Sequence, residues 1–166
     1  MLKILDNLAV FFENCYRRVH VREYARLHQL SPPTASKLLQ QYRTEGLLHK
    51  ENDRNYITYF ANQNSIPFRD ISRLYWSQRL EDMLQFLEKQ LVSPTIVLYG
   101  SLSKSEALPT SDVDLAIFAS KRDINLLSFE KKLNRKIQVL WFPSLSKVPA
   151  ELAKNIMNGY VLRGKL

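Results

Sequence analysis

Residues 95–118, TIVLYGSLSKSEALPTSDVDLAIF, leave this chain few ways to fold. Ile96, Val97, Leu98 and Tyr99 are a short apolar run rich in β-branched and aromatic side chains, and they predict a buried strand that stops at Gly100. Glycine lets the backbone approach a ligand with no Cβ in the way. Ser101 adds a hydroxyl and an N–H where a helix is expected to begin, which suits a phosphate group. Asp112-Val113-Asp114 then leads into the apolar Leu115, Ala116, Ile117 and Phe118, so a second strand opens with two carboxylates. Strand residues two apart point the same way, and Asp112 and Asp114 can therefore hold one hard cation between them. A Mg²⁺ ion there would bridge to phosphates at Gly100 and Ser101.

Gly100-Ser101, then Lys104, Ser105 and Glu106, then Ser111-Asp112-Val113-Asp114-Leu115, resembles the signature of the small nucleotidyltransferases of the DNA polymerase beta-like superfamily. That resemblance implies transfer of a nucleoside monophosphate from an NTP. It places Asp112 and Asp114 as catalytic metal ligands for Mg²⁺ or Mn²⁺, and Gly100, Ser101, Lys104 and Ser111 around the nucleotide. It also exposes two departures. Ser105 stands where the family usually has glycine, and Gln138 occupies the position of a third carboxylate, which in the family helps activate the acceptor hydroxyl. An amide carries no charge and takes no proton at neutral pH, so the resemblance implies nucleotide and metal binding with weak or lost transfer. An enzyme and a nucleotide sensor are both consistent with these residues.

Upstream the pattern is helical. Leu5, Leu8, Ala9 and Phe12 recur at spacings of three and four, and Val21, Tyr24, Ala25 and Leu27 predict a second, short helix. Ser31 is a good N-cap with Pro32 at the first helical position, Ala35, Leu38, Leu39 and Tyr42 form one stripe of a third helix, and Gly46 ends it. Residues 47–50 and 56–60 read as two strands around a turn at 51–55. The run SPPTASKLLQQYRTEGLLHKENDRNYITYF resembles the winged helix-turn-helix of small transcription regulators. The resemblance implies DNA binding, with Thr34, Ser36, Lys37, Gln40 and Gln41 of the third helix at the major groove and Lys50 and Arg54 of the wing at the backbone or minor groove. A partner-protein module, such as an antitoxin-type binder, is the alternative for the same segment.

The expected architecture is α+β: a winged helix-turn-helix domain over residues 1–65, a connecting helix over 66–92, and a nucleotidyltransferase-like mixed sheet with flanking helices over 93–166. The connecting helix carries an apolar stripe that can be buried within one chain or form the seam of a homodimer. Residues 137–142 predict a third strand and 150–158 a last helix. The formal charge of +8, from 24 basic and 16 acidic residues, favours polyanionic partners such as DNA and NTP. A single cysteine, Cys15, excludes an internal disulfide and a cysteine-based zinc site. With no apolar run of spanning length, the sequence points to a cytoplasmic protein without a membrane partner.

Overall fold

The computed structural model describes residues 2–53 and 56–166. Among these, seven α-helices and two sheets form two compact units. One runs to Ser72 and takes in Ser105–Pro109; the other comprises Arg73–Lys104 and Thr110–Leu166.

The first unit begins with α1 (Lys3–Glu13), which buries Leu5, Leu8, Phe11 and Phe12. Phe11 takes the place expected for Ala9, because adding an aromatic ring to the buried face removes more apolar surface from water than a methyl does. β1 (Val19–His20) and α2 (Val21–Leu27) follow, then α3 (Pro32–Thr44). At α3 the local chemistry matches the sequence. The Ser31 hydroxyl accepts from the Thr34 amide, Pro32 occupies the first turn, and Gly46, at φ 73°, takes the left-handed conformation that ends the helix. β2 (Leu48–Asp53) and β3 (Tyr56–Ala61) pair antiparallel from Leu48↔Ala61 to Asp53↔Tyr56, so β2 extends into the residues expected to form the turn. β1 joins the free edge of β3 through Val19↔Tyr59 and His20↔Thr58, giving the order β1-β3-β2. Two residues carry no periodicity, and that strand was invisible in the sequence. Phe12 packs on Phe68 of the next helix, with ring centroids 5.1 Å apart.

That helix, α4, spans Ile66–Gln90. Its residues Trp76, Leu80, Met83, Leu84 and Leu87 are buried in the second unit, whereas Leu74, expected on the buried stripe, is exposed. β4 (Thr95–Tyr99), α5 (Gly100–Lys104), β5 (Val113–Phe118), α6 (Leu127–Leu133), β6 (Ile137–Phe142), α7 (Ala150–Met157) and β7 (Tyr160–Arg163) complete the chain. The sheet order is β6-β5-β4-β7. β4 runs antiparallel to β5 and β7, and β5 runs parallel to β6 across the α6 connection, so the sheet is mixed. On one face Val97 and Ala116 pack with Val148 and Ile156, flanked by Tyr99, Phe118, Phe142 and Leu152. α7 packs on that face through Ile156, and the same face carries the polar side chains described next. No helix among the described residues is long and apolar enough to cross a membrane.

Candidate nucleotide site

Ile96, Val97 and Leu98 are fully buried in the centre of the sheet, and the chain leaves β4 through Gly100 at φ 73°. Here glycine meets two demands at once. Its backbone angle is one that L side chains rarely adopt, and a Cβ on residue 100 would overlap a carboxylate oxygen of Asp114 while lying 3.1 Å from Asp114 Cγ. The Asp114 carboxylate thus lies directly against the Gly100 backbone. α5 is held to this corner by the buried Ser103, whose hydroxyl donates to the Gly100 carbonyl at 2.9 Å.

Strand register aligns the rest. Tyr99 pairs with Asp114 across β4 and β5, and Asp114 pairs with Gln138 across β5 and β6. Paired residues share a face, so Tyr99, Asp114 and Gln138 stand side by side on three neighbouring strands. Asp112, just before β5, accepts a hydrogen bond on Oδ2 from Gln138 Nε2 at 2.5 Å. Burial raises the Asp114 pKa above the ordinary carboxylate range, and the negative charge of Asp112 raises it further. The Tyr99 phenol is raised by burial and then by Asp114. A buried carboxylate held beside a second negative charge is a site short of positive charge.

A raised carboxylate pKa means that its contribution to stability is fully present below the unfolded value of about 3.9 and is lost as pH rises through the folded pKa. Asp114→Asn should therefore melt higher than wild type at neutral pH without metal, and the gap should close as the buffer is acidified toward pH ~4. A thermal melt series over pH checks this, and a constant gap would contradict it.

The other expected residues sit close by in different roles. Ser101 follows Gly100 in the first turn of α5, and Lys104 at its end donates from Nζ to Asn155 Oδ1 at 3.3 Å. The Ser111 carbonyl accepts from Arg135 NH1 at 2.7 Å. Arg135 gave no signal in the sequence, where Asn134-Arg135-Lys136 reads as an ordinary charged turn. In the fold it is buried, with its guanidinium 5.0 Å from the centre of the Trp76 ring. The neighbouring Lys136 carbonyl accepts from the Val113 amide at 2.8 Å. Residues 135–138 therefore fix the segment that carries Asp112. Glu130, the acid nearest in sequence before β6, spends Oε1 on the Ile137 amide, and Asp123 is exposed.

Ser105 has φ 61°, the left-handed conformation that the family's usual glycine adopts without strain. The backbone keeps the shape although the residue has changed. Its hydroxyl is buried and has no hydrogen-bond partner among the described residues. Relief of the strained angle and of the unpaired hydroxyl outweighs the chain entropy that glycine adds, so Ser105→Gly should stabilise the protein by about 1 kcal/mol. A melting temperature higher by roughly 2–4 °C is the expected reading, and a drop would show that the serine hydroxyl is satisfied.

The residues expected at DNA lie in the first unit. Ser36 and Lys37 are exposed on α3, and Lys50 is exposed on β2. Thr34 shares a hydrogen bond between its hydroxyl and that of Ser31 at 2.8 Å, and Gln41 donates to Glu45 Oε1 at 2.8 Å. Gln40 is less available than its helical position implies: it is half-buried, and its amide oxygen accepts from the Tyr59 hydroxyl at 3.4 Å. Arg54 lies outside the described residues.

A mixed sheet whose first strand ends in a glycine corner, pressed against an acidic pair on the neighbouring strand, defines a nucleotidyltransferase-type domain. Residues 81–165 match the family model described as Polymerase beta, Nucleotidyltransferase, and the chain belongs to that family. No curated protein and no solved structure shows a significant match.

The divalent metal that such a domain implies can be tested against these side chains. Among the described residues no group of three His, Cys, Asp or Glu side chains is placed to hold a metal. Asp112 and Asp114 with the phosphates of a nucleotide suit one Mg²⁺, which is commonly held by one or two carboxylates plus substrate oxygens. They do not supply an acid for a second metal.

Proposed function

We propose that the second unit binds a magnesium–nucleoside triphosphate, with Asp112 and Asp114 holding the metal and Gly100, Ser101, Lys104 and Ser111 around the phosphates. The observation that carries this reading is the contact of the Asp114 carboxylate with the Gly100 backbone, which puts the acidic pair and the glycine corner in one place. When bound, the metal would neutralise charge on the triphosphate and favour in-line displacement at the α-phosphorus. Lys104, close to Asn155, adds positive charge one helical turn from the corner.

Gln138 lowers the expected rate of transfer. Its amide is occupied in donating to Asp112 and cannot accept the proton of an attacking hydroxyl. The reading is therefore a nucleotide-binding domain with weak or lost NMP transfer, serving as a slow enzyme or as a sensor. For the first unit we propose a winged helix-turn-helix that binds DNA. Three helices followed by the β2–β3 hairpin, with β1 added at its edge, support it, as do the exposed Ser36, Lys37 and Lys50.

Isothermal titration with Mg²⁺ and each NTP tests the nucleotide reading. Wild type should bind at least one nucleotide, and Asp112→Ala or Asp114→Ala should weaken binding by about 100-fold or more. Equal binding by wild type and either variant, or no binding at all by wild type, would discard it.

A further inference from the structure

The first unit contains a cleft of about 580 Å³ between α2 and the start of β3, lined by His20, Arg22, Glu23, Arg26, Tyr56 and Ile57. A second cleft, of about 510 Å³, continues along α2 to Gln29, Leu30 and Pro32 and shares Arg22 and Arg26 with the first. The two arginines thus stand in the middle of one groove running from β3 to the turn before α3.

Their charge is not neutralised locally. Neither guanidinium makes a hydrogen bond or ion pair with a described residue. Placed four residues apart on one helix, like charges repel and mildly destabilise it. Glu23, the one acid among the described residues of the groove lining, is already committed: Oε1 accepts from Arg17 NH2 at 2.6 Å and Oε2 from the His20 amide at 3.4 Å. At the β3 end the groove is aromatic and apolar. Tyr56 is 68% exposed, with His20 packed edge-on against it at 5.5 Å between ring centres, and Ile57 is also exposed. A large aromatic ring held at the surface by a second ring, beside two free cations, is a poor arrangement for a residue that only meets water.

We infer that this groove seats a single nucleic-acid strand, with backbone phosphates at Arg22 and Arg26 and a base stacked on Tyr56. A cationic track combined with an exposed aromatic platform is the chemistry that recognises unpaired nucleotides. Continuity over two clefts favours a strand over a mononucleotide, which one cleft would hold. The surface is separate from the exposed polar residues of α3, so the inference does not depend on the duplex-binding reading above.

Fluorescence anisotropy of the full chain in EDTA tests it, the chelator removing metal-dependent binding at the acidic pair. Three probes are needed: a labelled single strand of about ten nucleotides, the corresponding duplex, and a labelled mononucleotide. The single strand should bind more tightly than the mononucleotide, whatever affinity the duplex has through α3. Arg22→Ala/Arg26→Ala should weaken it by at least about tenfold and flatten the slope of log affinity against log salt by about 1.4, two phosphate contacts' worth. Tyr56→Ala should weaken it about 5- to 150-fold with little change in slope. Equal affinity for the mononucleotide, or single-strand binding unaffected by these exposed substitutions, would overturn the inference.

Discussion

Gly100→Ala should abolish metal-dependent nucleotide binding while leaving the chain folded but weakened. Two costs combine at this position. An alanine at φ 73° is strained by about 1–2 kcal/mol, and its methyl would have to displace the Asp114 carboxylate, adding overpacking of about 1–3 kcal/mol. Either the carboxylate moves or the β4–α5 corner does, and both separate the acidic pair from the phosphates. Binding of magnesium nucleotide should fall about 100-fold or more. A double-mutant cycle identifies the cause. In Gly100→Ala/Asp114→Ala the obstructing carboxylate is gone, so Gly100→Ala should cost less stability in the Asp114→Ala background than in the wild type, by about 0.5 kcal/mol or more. Additive losses would mean that glycine and aspartate do not touch, and the proposed site would lose its foundation.

Gln138→Asp should do the opposite for chemistry and resemble it for stability. The amide now donates to Asp112 while standing in register with Asp114. A carboxylate there loses that hydrogen bond and becomes a third negative charge beside Asp114, whose ionisation burial and Asp112 already oppose. Without metal the variant should melt lower than wild type, by about 1 kcal/mol or more of stability, and magnesium should recover more stability for it than for wild type. With the missing proton acceptor supplied, transfer of label from an NTP to an acceptor in cell extract should rise about 10²- to 10⁴-fold. If the variant binds magnesium nucleotide as well as wild type yet transfers no faster, the proposed weakening of transfer by Gln138 is wrong.

The candidate site was legible where chemistry is local in sequence. An apolar run stopping at Gly100 and an acidic pair opening a second apolar run announced two strands with polar ends, and both strands form as expected. The cap at Ser31 and the stop at Gly46 were legible for the same reason, since each depends on its immediate neighbours. Ser105 was legible only as an oddity; that it keeps a glycine-like backbone angle required the fold. Three features had no local signal. β1 is too short for periodicity and exists because β3 offers it an edge. Arg135 looks like a solvated charge and is instead buried over Trp76, holding the segment that bears Asp112. Arg22 and Arg26 are two more basic residues on a short helix until the β2–β3 hairpin brings Tyr56 beside them.

The sequence by itself determined which residues carry charge, which runs seek burial, and where glycine frees the backbone, because these are properties of side chains and their nearest neighbours. Only the tertiary structure decided which of them meet. Asp114 reaches Gly100 and Gln138 reaches Asp112 through the register of one antiparallel and one parallel strand pair, and a slip of one residue in either would turn those side chains to the other face of the sheet.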